Sequence, residues 1–337
     1  MEIDSEKLAL MKETFYYTAK GDYLLGESID LIRNKLLRYY RNKVNLIITS
    51  PPFPLNKKKK YGNLTGEAYK DWFIQFAPLF SELLTEDGSI VIEIGNSWET
   101  GKPVQSVLHL ESLLGFLKHP DAGLQLCQEF ICYNPSRIPS PAQWVTIDRI
   151  RTIDSYTHVW WMAKTFNPKS DNSKVLRPYS KSMKDLLKTG SYNAGERPSH
   201  HKISKNGFLK NHDGSIMPNV IELEKMHGVS DLRLPENILR FSNTSSNDDF
   251  LRACREEGLM PHPARMHPGL VAFYTDFLTE PGDLILDPFA GTNTTGYVAE
   301  LMKRRWLALE VKPEYAKQAL VRFKAAKITT KLNHSKY

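Results

Sequence analysis

The stretch from Leu284 to Gly296 limits the possible folds of this chain more than any other part of the sequence. It reads Leu-Ile-Leu-Asp-Pro-Phe-Ala-Gly-Thr-Asn-Thr-Thr-Gly, and helically spaced apolar residues follow it as far as Met302. Aliphatic residues, an acid and then small residues are typical of a strand, a tight turn and a helix. Ala290 and Gly291 leave room for backbone N–H groups to approach a ligand closely. The stretch therefore predicts a ligand-binding turn.

A second strand follows, from Trp306 to Leu309, and it ends at Glu310, 19 residues after Gly291. An acid at this distance from a glycine turn can accept hydrogen bonds from the two hydroxyls of a ribose. The two segments together predict a nucleoside-binding βαβ unit. An ordinary strand–turn–helix unit without a ligand is the alternative.

The kind of nucleoside follows from the side chains that are missing. A P-loop would need Lys and Ser or Thr where Tyr297 and Val298 stand, and Asn293 replaces the second glycine of the dinucleotide motif. Asp287 at the strand end would repel a pyrophosphate but suits a cation. S-adenosyl-L-methionine, which carries an ammonium and a sulfonium, is the ligand that this pattern predicts.

The nucleoside unit supplies only two strands, and the sequence after it, Pro313 to Ala326, reads as a single helix opened by proline. A parallel sheet of two strands could not bury its faces. The other strands must come from the N-terminal part, where strand and helix patterns alternate. We therefore expect an α/β fold with a doubly wound, mostly parallel sheet in circular order, with the nucleoside half last.

The N-terminal half contains an aliphatic strand, Val44 to Thr49, that runs into Ser50-Pro51-Pro52-Phe53. The prolines stiffen the loop and remove N–H donors, so that it presents carbonyl groups. A serine hydroxyl and a carbonyl can both accept hydrogen bonds from one amino group, and an aromatic ring can stack on a planar base. This loop predicts a site for the exocyclic amine of a nucleobase, with a plain strand-ending turn as the alternative.

The remaining N-terminal elements complete the alternation of strands and helices. We expect a helix through the aromatic residues from Trp72 to Leu84 that stops at Gly88, and we assign those aromatics to core packing. The other expected elements are strand 89–95, helix 107–118, strand 130–133, strand 157–162 and, before the nucleoside unit, helix 270–278.

The region between Thr165 and Gly258 differs in composition from the rest of the chain. It is rich in Pro, Ser, Asn, Gly, Lys and His, as in Arg197-Pro198-Ser199-His200-His201-Lys202, and poor in apolar residues. We expect residues 165–258 to be a target-recognition region that contacts DNA, and residues 1–164 and 259–337 to form the catalytic and cofactor-binding domain. A disordered linker is the alternative for residues 165–258.

The charge of the chain favours a polyanionic partner, since its formal net charge is +7 and its isoelectric point is near 9.0. Lys57 to Lys60 follow the predicted amine-binding loop and are either solvated surface or contacts to DNA phosphates. No apolar run is long enough for a membrane span and no secretory signal is visible, which predicts a cytoplasmic protein.

The cysteine and histidine residues do not indicate a metal site. Three cysteines, Cys127, Cys132 and Cys254, cannot form a closed set of disulfides, which points to a reducing compartment and to buried thiols. Their spacing matches no zinc motif, and the histidines of the 165–258 region lack partners at metal-ligand spacing. We therefore expect no metal.

The order of the two motifs resembles the β-class amino-DNA methyltransferases, in which Ser-Pro-Pro-Phe comes first and Asp-Pro-Phe-Ala-Gly last. Within this class the sequence is most similar to the PvuII-type N4-cytosine enzymes of restriction–modification systems. The resemblance extends over roughly residues 15–325. Further matching text includes Tyr61-Gly62-Asn63-Leu64, Asn134-Pro135-Ser136, Pro139-Ser140-Pro141, Trp160-Trp161, Gly214-Ser215-Ile216, His262-Pro263-Ala264-Arg265 and Lys312-Pro313-Glu314-Tyr315.

The resemblance implies a role for each matching residue. Ser50 and the Pro51 carbonyl would hold the cytosine amino group in a loop that Pro52 stiffens, while Phe53 stacks on the base. Glu310 would bind the ribose hydroxyls and Asp22 the adenine amino group. The cofactor-binding residues implied in this way are Asp22, His262, Ala264, Arg265, Asp287, Phe289, Ala290, Gly291, Thr292, Asn293, Thr294 and Glu310. Ala290 replaces a glycine of close relatives, and Phe53 replaces a tyrosine common in the class.

The implied reaction is direct methyl transfer to the N4 atom of a cytosine flipped out of double-stranded DNA. A C5-cytosine enzyme would need a reactive cysteine, typically after proline, and none of the three cysteines follows proline. N6-adenine methylation is the nearest alternative, although Asp in place of Ser50 is more usual there. A DNA-binding protein with an inert nucleoside pocket and a dehydrogenase are the alternatives from other classes.

The same resemblance implies partners. A cognate restriction endonuclease would act on the same DNA site without necessarily binding this chain, and the recognition sequence would be a short palindrome. The sequence leaves the oligomeric state open.

Overall fold

A computed structural model describes residues 14–54, 64–222, 249–260 and 265–333. Its centre is a sheet of ten strands, with a separate two-stranded hairpin in the 165–222 segment. The strands are β1 (Thr14–Tyr17), β2 (Gly21–Leu25), β3 (Val44–Thr49), β4 (Leu84–Ile94), β5 (Gln125–Tyr133), β6 (Tyr156–Ala163), β7 (Gly195–Glu196), β8 (Lys202–Ile203), β9 (Val220–Glu222), β10 (Leu284–Asp287), β11 (Arg305–Glu310) and β12 (Lys331–Leu332).

The strand order in the large sheet is β12-β1-β2-β11-β10-β3-β4-β6-β5-β9. Its five central strands, β2, β11, β10, β3 and β4, are mutually parallel. Antiparallel pairs flank them, β1 with β2 on one side and β4 with β6 and β6 with β5 on the other. The parallel centre explains why its strands are apolar on both faces.

The pairing of β10 with β3 confirms the circular order predicted from the sequence. Ile285 lies opposite Leu46 and Leu286 opposite Ile47 in a parallel register. The nucleoside unit at the end of the chain is thus completed by strands from its beginning.

Helices cover both faces of the sheet, as a doubly wound fold requires. Their bounds are α1 (Ser28–Leu31, a π-helical turn Ile32–Leu36, and Leu37–Tyr40), α2 (Gly66–Ile74), α3 (Phe76–Leu83), α4 (Leu108–Leu117), α5 (Lys181–Thr189), α6 (Asp249–Glu256), α7 (Pro268–Leu278), α8 (Thr294–Leu301) and α9 (Pro313–Ala325). Helices α1 to α4 contribute to one apolar core, and α7 to α9 contribute to the core on the opposite face.

The prediction of one helix that runs through Trp72 and Leu84 and stops at Gly88 is wrong in two respects: the structure has two helices there, and the second ends at Leu83. Helix α2 ends at Ile74 and α3 begins at Phe76, since Pro78 has no N–H to donate to the Ile74 carbonyl. Gly88 lies within β4, where a Cβ atom would approach the Val44 carbonyl oxygen to 3.1 Å. Gly88 therefore allows β4 to approach β3 closely and does not end a helix.

The described part of the 165–258 region is attached to the sheet. The Lys169 N–H donates to the Asp87 carbonyl at 2.9 Å, and the Asp171 N–H donates to the Phe277 carbonyl at 2.8 Å. Val175 is buried in the core, and β9 extends the sheet beside β5. The division into a catalytic and a recognition part remains a prediction.

The three cysteines form no disulfide, with Cys132 and Cys254 buried and Cys127 half-buried. Burial raises the pKa of the Cys132 thiol above its usual range. This environment agrees with the expectation of small buried hydrophobic residues. Among the helices that the structure describes, none is long and apolar enough to cross a membrane.

The contact between β2 and β11 provides a test of the sheet. Gly21 lies opposite Trp306, and a Cβ atom at Gly21 would meet the Trp306 carbonyl oxygen at 2.3 Å and its indole at 2.2 Å. We expect Gly21→Ala to lower the free energy of unfolding by about 1–3 kcal/mol in urea denaturation. Ile216→Ala, at an exposed position, should change it by less than about 0.5 kcal/mol. Equal values for the two variants would contradict the close packing of β2 against β11.

Candidate active site

A cavity of about 720 Å³ opens at the carboxyl ends of the parallel strands, where α/β sheets bind their ligands. Both ends of the chain contribute to its walls. The lining residues are Glu27, Ser28, Ser50, Pro51, Pro52, Phe53, Leu64, Trp72, Glu93, Asn134, Arg137, Thr157, Arg265, Met266, Asp287, Pro288, Phe289, Ala290, Gly291, Thr292, Thr294, Thr295, Glu310, Val311, Lys312 and Tyr315.

Asp287 stands at the end of β10 and organises the turn that follows. One of its carboxylate oxygens, Oδ1, accepts hydrogen bonds from the Thr49 hydroxyl at 2.7 Å and the Phe289 N–H at 3.1 Å. The other, Oδ2, accepts from the Thr295 hydroxyl at 2.6 Å. Burial raises the pKa of this carboxyl, and the three hydrogen bonds oppose that rise. Asp287 thus presents a fixed negative charge to the cavity.

The turn after Asp287 is held by side chains from distant elements. The Tyr23 hydroxyl donates to the Gly291 carbonyl at 2.6 Å, and the buried Arg322 guanidinium donates to the Thr292 carbonyl at 2.9 Å. Gly291 has a φ of 50°, a left-handed conformation that favours glycine. The turn is therefore rigid before any ligand is bound.

Asn293 is an expected cofactor residue that is not among the residues lining the cavity. Its side chain is fully buried and is absent from the cavity walls. The side-chain oxygen caps α8 by accepting from the Gly296 N–H at 2.9 Å, while Nδ2 donates to the Tyr16 hydroxyl at 2.7 Å. Its function is to shape the turn, with a φ of 55° that asparagine tolerates.

Glu310 stands at the end of β11 and faces the same cavity. One of its oxygens, Oε2, accepts from the Gly291 N–H at 2.9 Å. The other, Oε1, accepts from the N–H groups of Val311 at 3.0 Å and Lys312 at 2.9 Å. Burial raises the pKa of the Glu310 carboxyl against these hydrogen bonds. A carboxylate has about four acceptor positions, so Glu310 can still accept from a ligand hydroxyl.

Asp22 is the second expected cofactor residue that the cavity does not include. Asp22 lies in β2, opposite Leu307 of β11, and is buried within the sheet. It comes four residues before Gly26, which is in the loop at the carboxyl end of β2. The expected contact of Asp22 with an adenine amino group lacks support from this position. Glu27 and Ser28, just beyond the end of β2, line the cavity instead.

The segment expected to pack near the methionine moiety is described only in part. Arg265 lines the cavity, as does its neighbour Met266. His262 and Ala264 lie outside the described residues, as do Lys57 to Lys60.

The Ser50-Pro51-Pro52-Phe53 loop forms the wall beside the Asp287 turn, and all four of its residues line the cavity. The Phe53 ring lies directly on Gly95, where a Cβ atom would meet it at 2.5 Å. The Ser97 hydroxyl donates to the Pro54 carbonyl at 2.7 Å and holds the end of the loop. The structure thus brings the two predicted motifs together in one cavity.

Glu93 is a site residue that our sequence reasoning missed. It lies near the end of β4, accepts a hydrogen bond from the Thr157 hydroxyl at 3.0 Å, and lines the same cavity as Ser50, whose hydroxyl favours the charged form of the carboxyl. Burial raises the pKa of the Glu93 carboxyl, and the hydrogen bonds and the charge of Arg137 oppose the rise. The signal in the sequence was a single acid within the aliphatic run from Ile90 to Ile94.

The aromatic wall of the cavity was also underestimated. We assigned Trp72 to the core, yet it lines the cavity and packs on Phe289 with ring centroids 5.5 Å apart. The buried Phe76 packs edge-to-face on Phe289, with ring centroids 5.1 Å apart. A planar group bound beside Phe289 would therefore contact an aromatic surface already fixed by α2 and α3.

These features define a class of protein. The cavity joins a turn suited to a cationic nucleoside with a loop suited to a planar amine, which is the arrangement of a nucleoside-dependent group transferase that acts on a base. Within residues 14–54, 64–222, 249–260 and 265–333, no group of His, Cys, Asp and Glu side chains is placed to bind a metal ion.

Comparison with known families identifies the transferase. Residues 44–321 match the family model of the N6- and N4-type DNA methylases, described as DNA methylase. The chain therefore belongs to the DNA methylase family and is a methyltransferase. This confirms the resemblance found in the sequence and, with it, the expected enzyme class and the use of S-adenosylmethionine as methyl donor.

Individual relatives agree with this assignment. The chain is 38% identical over 321 residues to the type II methyltransferase M.PvuII of Proteus hauseri, covering 95% of this chain and 88% of that protein. The solved structure of PvuII DNA methyltransferase, named as cytosine-N4-specific, matches with a TM-score of 0.68 at 32% identity, covering 96% and 91% of the two chains. The match confirms the predicted α/β fold.

A shorter match connects the chain with an adenine enzyme. The DNA adenine methyltransferase YhdJ of Escherichia coli is 38% identical over 65 residues, which cover 19% of this chain and 22% of that protein.

The hydrogen bonds of Glu310 provide a test of the nucleoside side of the cavity. In Glu310→Gln an amide nitrogen would face backbone N–H groups, and the turn at Gly291 would lose an acceptor. We expect the dissociation constant for S-adenosylmethionine, measured by calorimetry, to rise about 10- to 100-fold, as for loss of a buried hydrogen bond to a charged group. Glu314→Gln, at an exposed position on α9, is the matched control. Unchanged affinity in Glu310→Gln would contradict the assignment of Glu310 to the ligand.

Proposed function

We propose that this chain transfers a methyl group from S-adenosylmethionine to the N4 amino group of a cytosine flipped out of double-stranded DNA. The observation that carries the proposal is the sharing of one cavity by the Ser50–Phe53 loop, the Asp287 turn and Glu310. The Ser50–Phe53 loop supplies hydrogen-bond acceptors for an amine, and the Asp287 turn and Glu310 supply the groups that bind the nucleoside.

The cavity residues fit the methyl donor. A volume of about 720 Å³ lies within the range of sites for ligands of this size. Asp287 and Glu27 offer negative charge to a cationic ligand, Glu310 offers an acceptor to ribose, and Phe289 with Trp72 offers an aromatic surface to adenine. When bound, S-adenosylmethionine supplies an electrophilic methyl group attached to a sulfonium.

The wall beside the Asp287 turn fits the amine. We propose that the Ser50 hydroxyl donates to the Glu93 carboxylate, which can only accept, and that the lone pairs of the Ser50 oxygen are left to accept from the amine. The Ser50 oxygen and the Pro51 carbonyl would each accept one N4–H, while the Phe53 ring stacks on the pyrimidine. These contacts align the nitrogen lone pair with the methyl carbon, and alignment supplies most of the rate.

The transfer forms one bond and breaks one bond. The N4 nitrogen bonds to the methyl carbon as the bond from carbon to sulfur breaks, and N4 then loses a proton. The route through Ser50 to Glu93 offers a path for that proton, because the raised pKa of Glu93 makes it a better acceptor than an ordinary glutamate. No covalent intermediate on the protein is required.

Cytosine is favoured over adenine as the target base. M.PvuII and the PvuII structure, whose name gives cytosine-N4 specificity, match over 95% and 96% of the chain at 38% and 32% identity, whereas the match to the adenine enzyme covers 19% of the chain. Serine at position 50, where adenine enzymes of the class usually carry aspartate, supports the same choice. N6-adenine methylation is the second candidate.

The 165–258 region is proposed to recognise the DNA sequence. Its described hairpin, β7 and β8, exposes His200, His201 and Lys202 and also carries the half-buried Arg197, and these residues are donors suited to phosphates and base edges. Because M.PvuII is named a type II methyltransferase, we also propose that a restriction endonuclease cleaves the same sequence when it is unmethylated. The reaction would take place in the cytoplasm, where bacterial DNA is found.

The base that receives the methyl group is determined by product analysis. Unmethylated plasmid DNA is incubated with the protein and methyl-labelled S-adenosylmethionine, digested to nucleosides and separated by chromatography. We expect the label in N4-methyldeoxycytidine, at a single short sequence that single-molecule sequencing can map. Label in N6-methyldeoxyadenosine would establish the second candidate, and label in neither would overturn the proposal.

Ser50→Ala tests the amine wall. Loss of one acceptor in the transition state should lower the single-turnover rate about 10- to 100-fold, while the dissociation constant for S-adenosylmethionine stays within about twofold. Ser170→Ala, at an exposed position, should change neither quantity. Equal losses of rate and cofactor affinity in Ser50→Ala would contradict the proposed role.

Glu93 predicts the pH dependence. The ionised carboxylate is the form that accepts from Ser50, so the rate should fall as pH falls through the pKa of Glu93, which burial raises above the usual glutamate value. Glu93→Gln should be at least about tenfold slower and should lack this acid limb in its pH–rate profile. The exposed Glu111→Gln is the control. An unchanged acid limb in Glu93→Gln would assign the titration to another group.

A further inference from the structure

One wall of the cavity has no role in the mechanism described so far. It consists of Asn134 and Arg137, in the loop that follows β5. This loop has a fixed shape, since the Asn134 N–H donates to the Ser155 carbonyl at 2.8 Å and the Asn134 side-chain oxygen accepts from the Ser136 N–H at 3.1 Å. Arg137 is thus presented to the cavity by a hydrogen-bonded turn.

The side chain of Arg137 is also held in place. Its Nη1 atom donates to the Tyr156 carbonyl at 2.8 Å. The next residue along β6, Thr157, donates to Glu93, and Arg137, Thr157, Glu93 and Ser50 all line the same cavity. The charge of Arg137 also favours the ionised form of the Glu93 carboxyl and so lowers its pKa.

The chemistry of this wall matches one base better than the other. Cytosine carries its N4 amine, its N3 acceptor and its O2 carbonyl along one edge, whereas adenine carries an amine, an acceptor and a C–H group. A guanidinium has five N–H donors in a planar fork and no acceptor. With one N–H committed to Tyr156, Arg137 can donate to O2 of a cytosine held at Ser50. Against adenine the same donor would face a C–H and lose its hydrogen bond to water.

We propose that Arg137 selects cytosine as the target base by donating a hydrogen bond to its O2 atom. This inference rests on the proposed function, because it concerns the base held at Ser50. Phe53 and Ser50 contact the ring and the amine, which both bases have, and Arg137 adds discrimination at the far end of the base edge. Arg137 is a specificity-determining residue in this account.

The test compares two target bases in one DNA context. Duplexes carry the mapped recognition sequence with either cytosine or adenine at the target position, each opposite an abasic site, so that no base pair has to be broken. Single-turnover rates are measured with the wild-type protein, Arg137→Met and Arg137→Lys. We expect Arg137→Met to lower the ratio of the cytosine rate to the adenine rate about 10- to 100-fold, through loss on cytosine. Arg137→Lys, which keeps a donor, should recover part of the ratio.

Controls separate this role from a structural one. Arg151→Met, in the same loop and exposed, should leave the ratio unchanged even if DNA binding weakens. Affinity for S-adenosylmethionine and thermal unfolding report whether the Arg137 variants keep the cavity intact. An equal loss on both bases, or an unchanged ratio, would overturn the inference.

The outcome is distinguishable from failure of the proposed function. If the wild-type protein labels cytosine N4 in plasmid DNA and the Arg137→Met ratio is unchanged, the inference alone is wrong. If the wild-type protein labels only adenine, the proposed function is wrong, and the inference is wrong with it.

Discussion

The active site depends on the parallel pairing of β3 with β10, two strands from opposite ends of the chain. Neighbouring parallel strands lie about 4.8 Å apart and end at the same edge of the sheet, so the loops that follow them emerge side by side. The hydrogen bond from the Thr49 hydroxyl to Asp287 at 2.7 Å joins these two strand ends directly. It spans 238 positions in the sequence and places the amine wall beside the nucleoside wall.

The second requirement is the burial of carboxylates with their hydrogen bonds satisfied. Asp287, Glu310 and Glu93 each have a pKa raised by burial, and each accepts hydrogen bonds that favour the charged form. A buried carboxylate without such partners would become protonated. Side-chain hydroxyls and backbone N–H groups keep the three charges in position before a ligand arrives, as electrostatic preorganisation requires.

The sequence predicts features that are local. The strand, turn and helix from Leu284 to Leu301 and the loop after Thr49 follow from neighbouring residues, and they were found where expected. Features set by distant contacts were missed. Asn293 points away from the cavity because Tyr16 binds it from 277 positions away, and Trp72 lines the cavity because Phe289 packs on it.

Two further residues illustrate the same limit. The role of Asp22 was implied by the family resemblance and stays a prediction, since Asp22 lies within β2 and the cavity lining begins beyond the end of that strand, at Glu27. Glu93 was passed over because an acid in an aliphatic run has no meaning until Ser50 and Thr157 lie beside it.

The most direct measurement is a crystal structure of the protein with a duplex carrying its recognition sequence and sinefungin, an amine analogue of the methyl donor. We expect a flipped cytosine stacked on Phe53, with its N4 amine hydrogen-bonded to Ser50. The N4 nitrogen should lie about 3–3.5 Å from the amine of the analogue that takes the place of the transferable methyl group. A target base still stacked within the duplex, or an analogue bound away from Asp287 and Glu310, would contradict the claim that the two ends of the chain form one catalytic site.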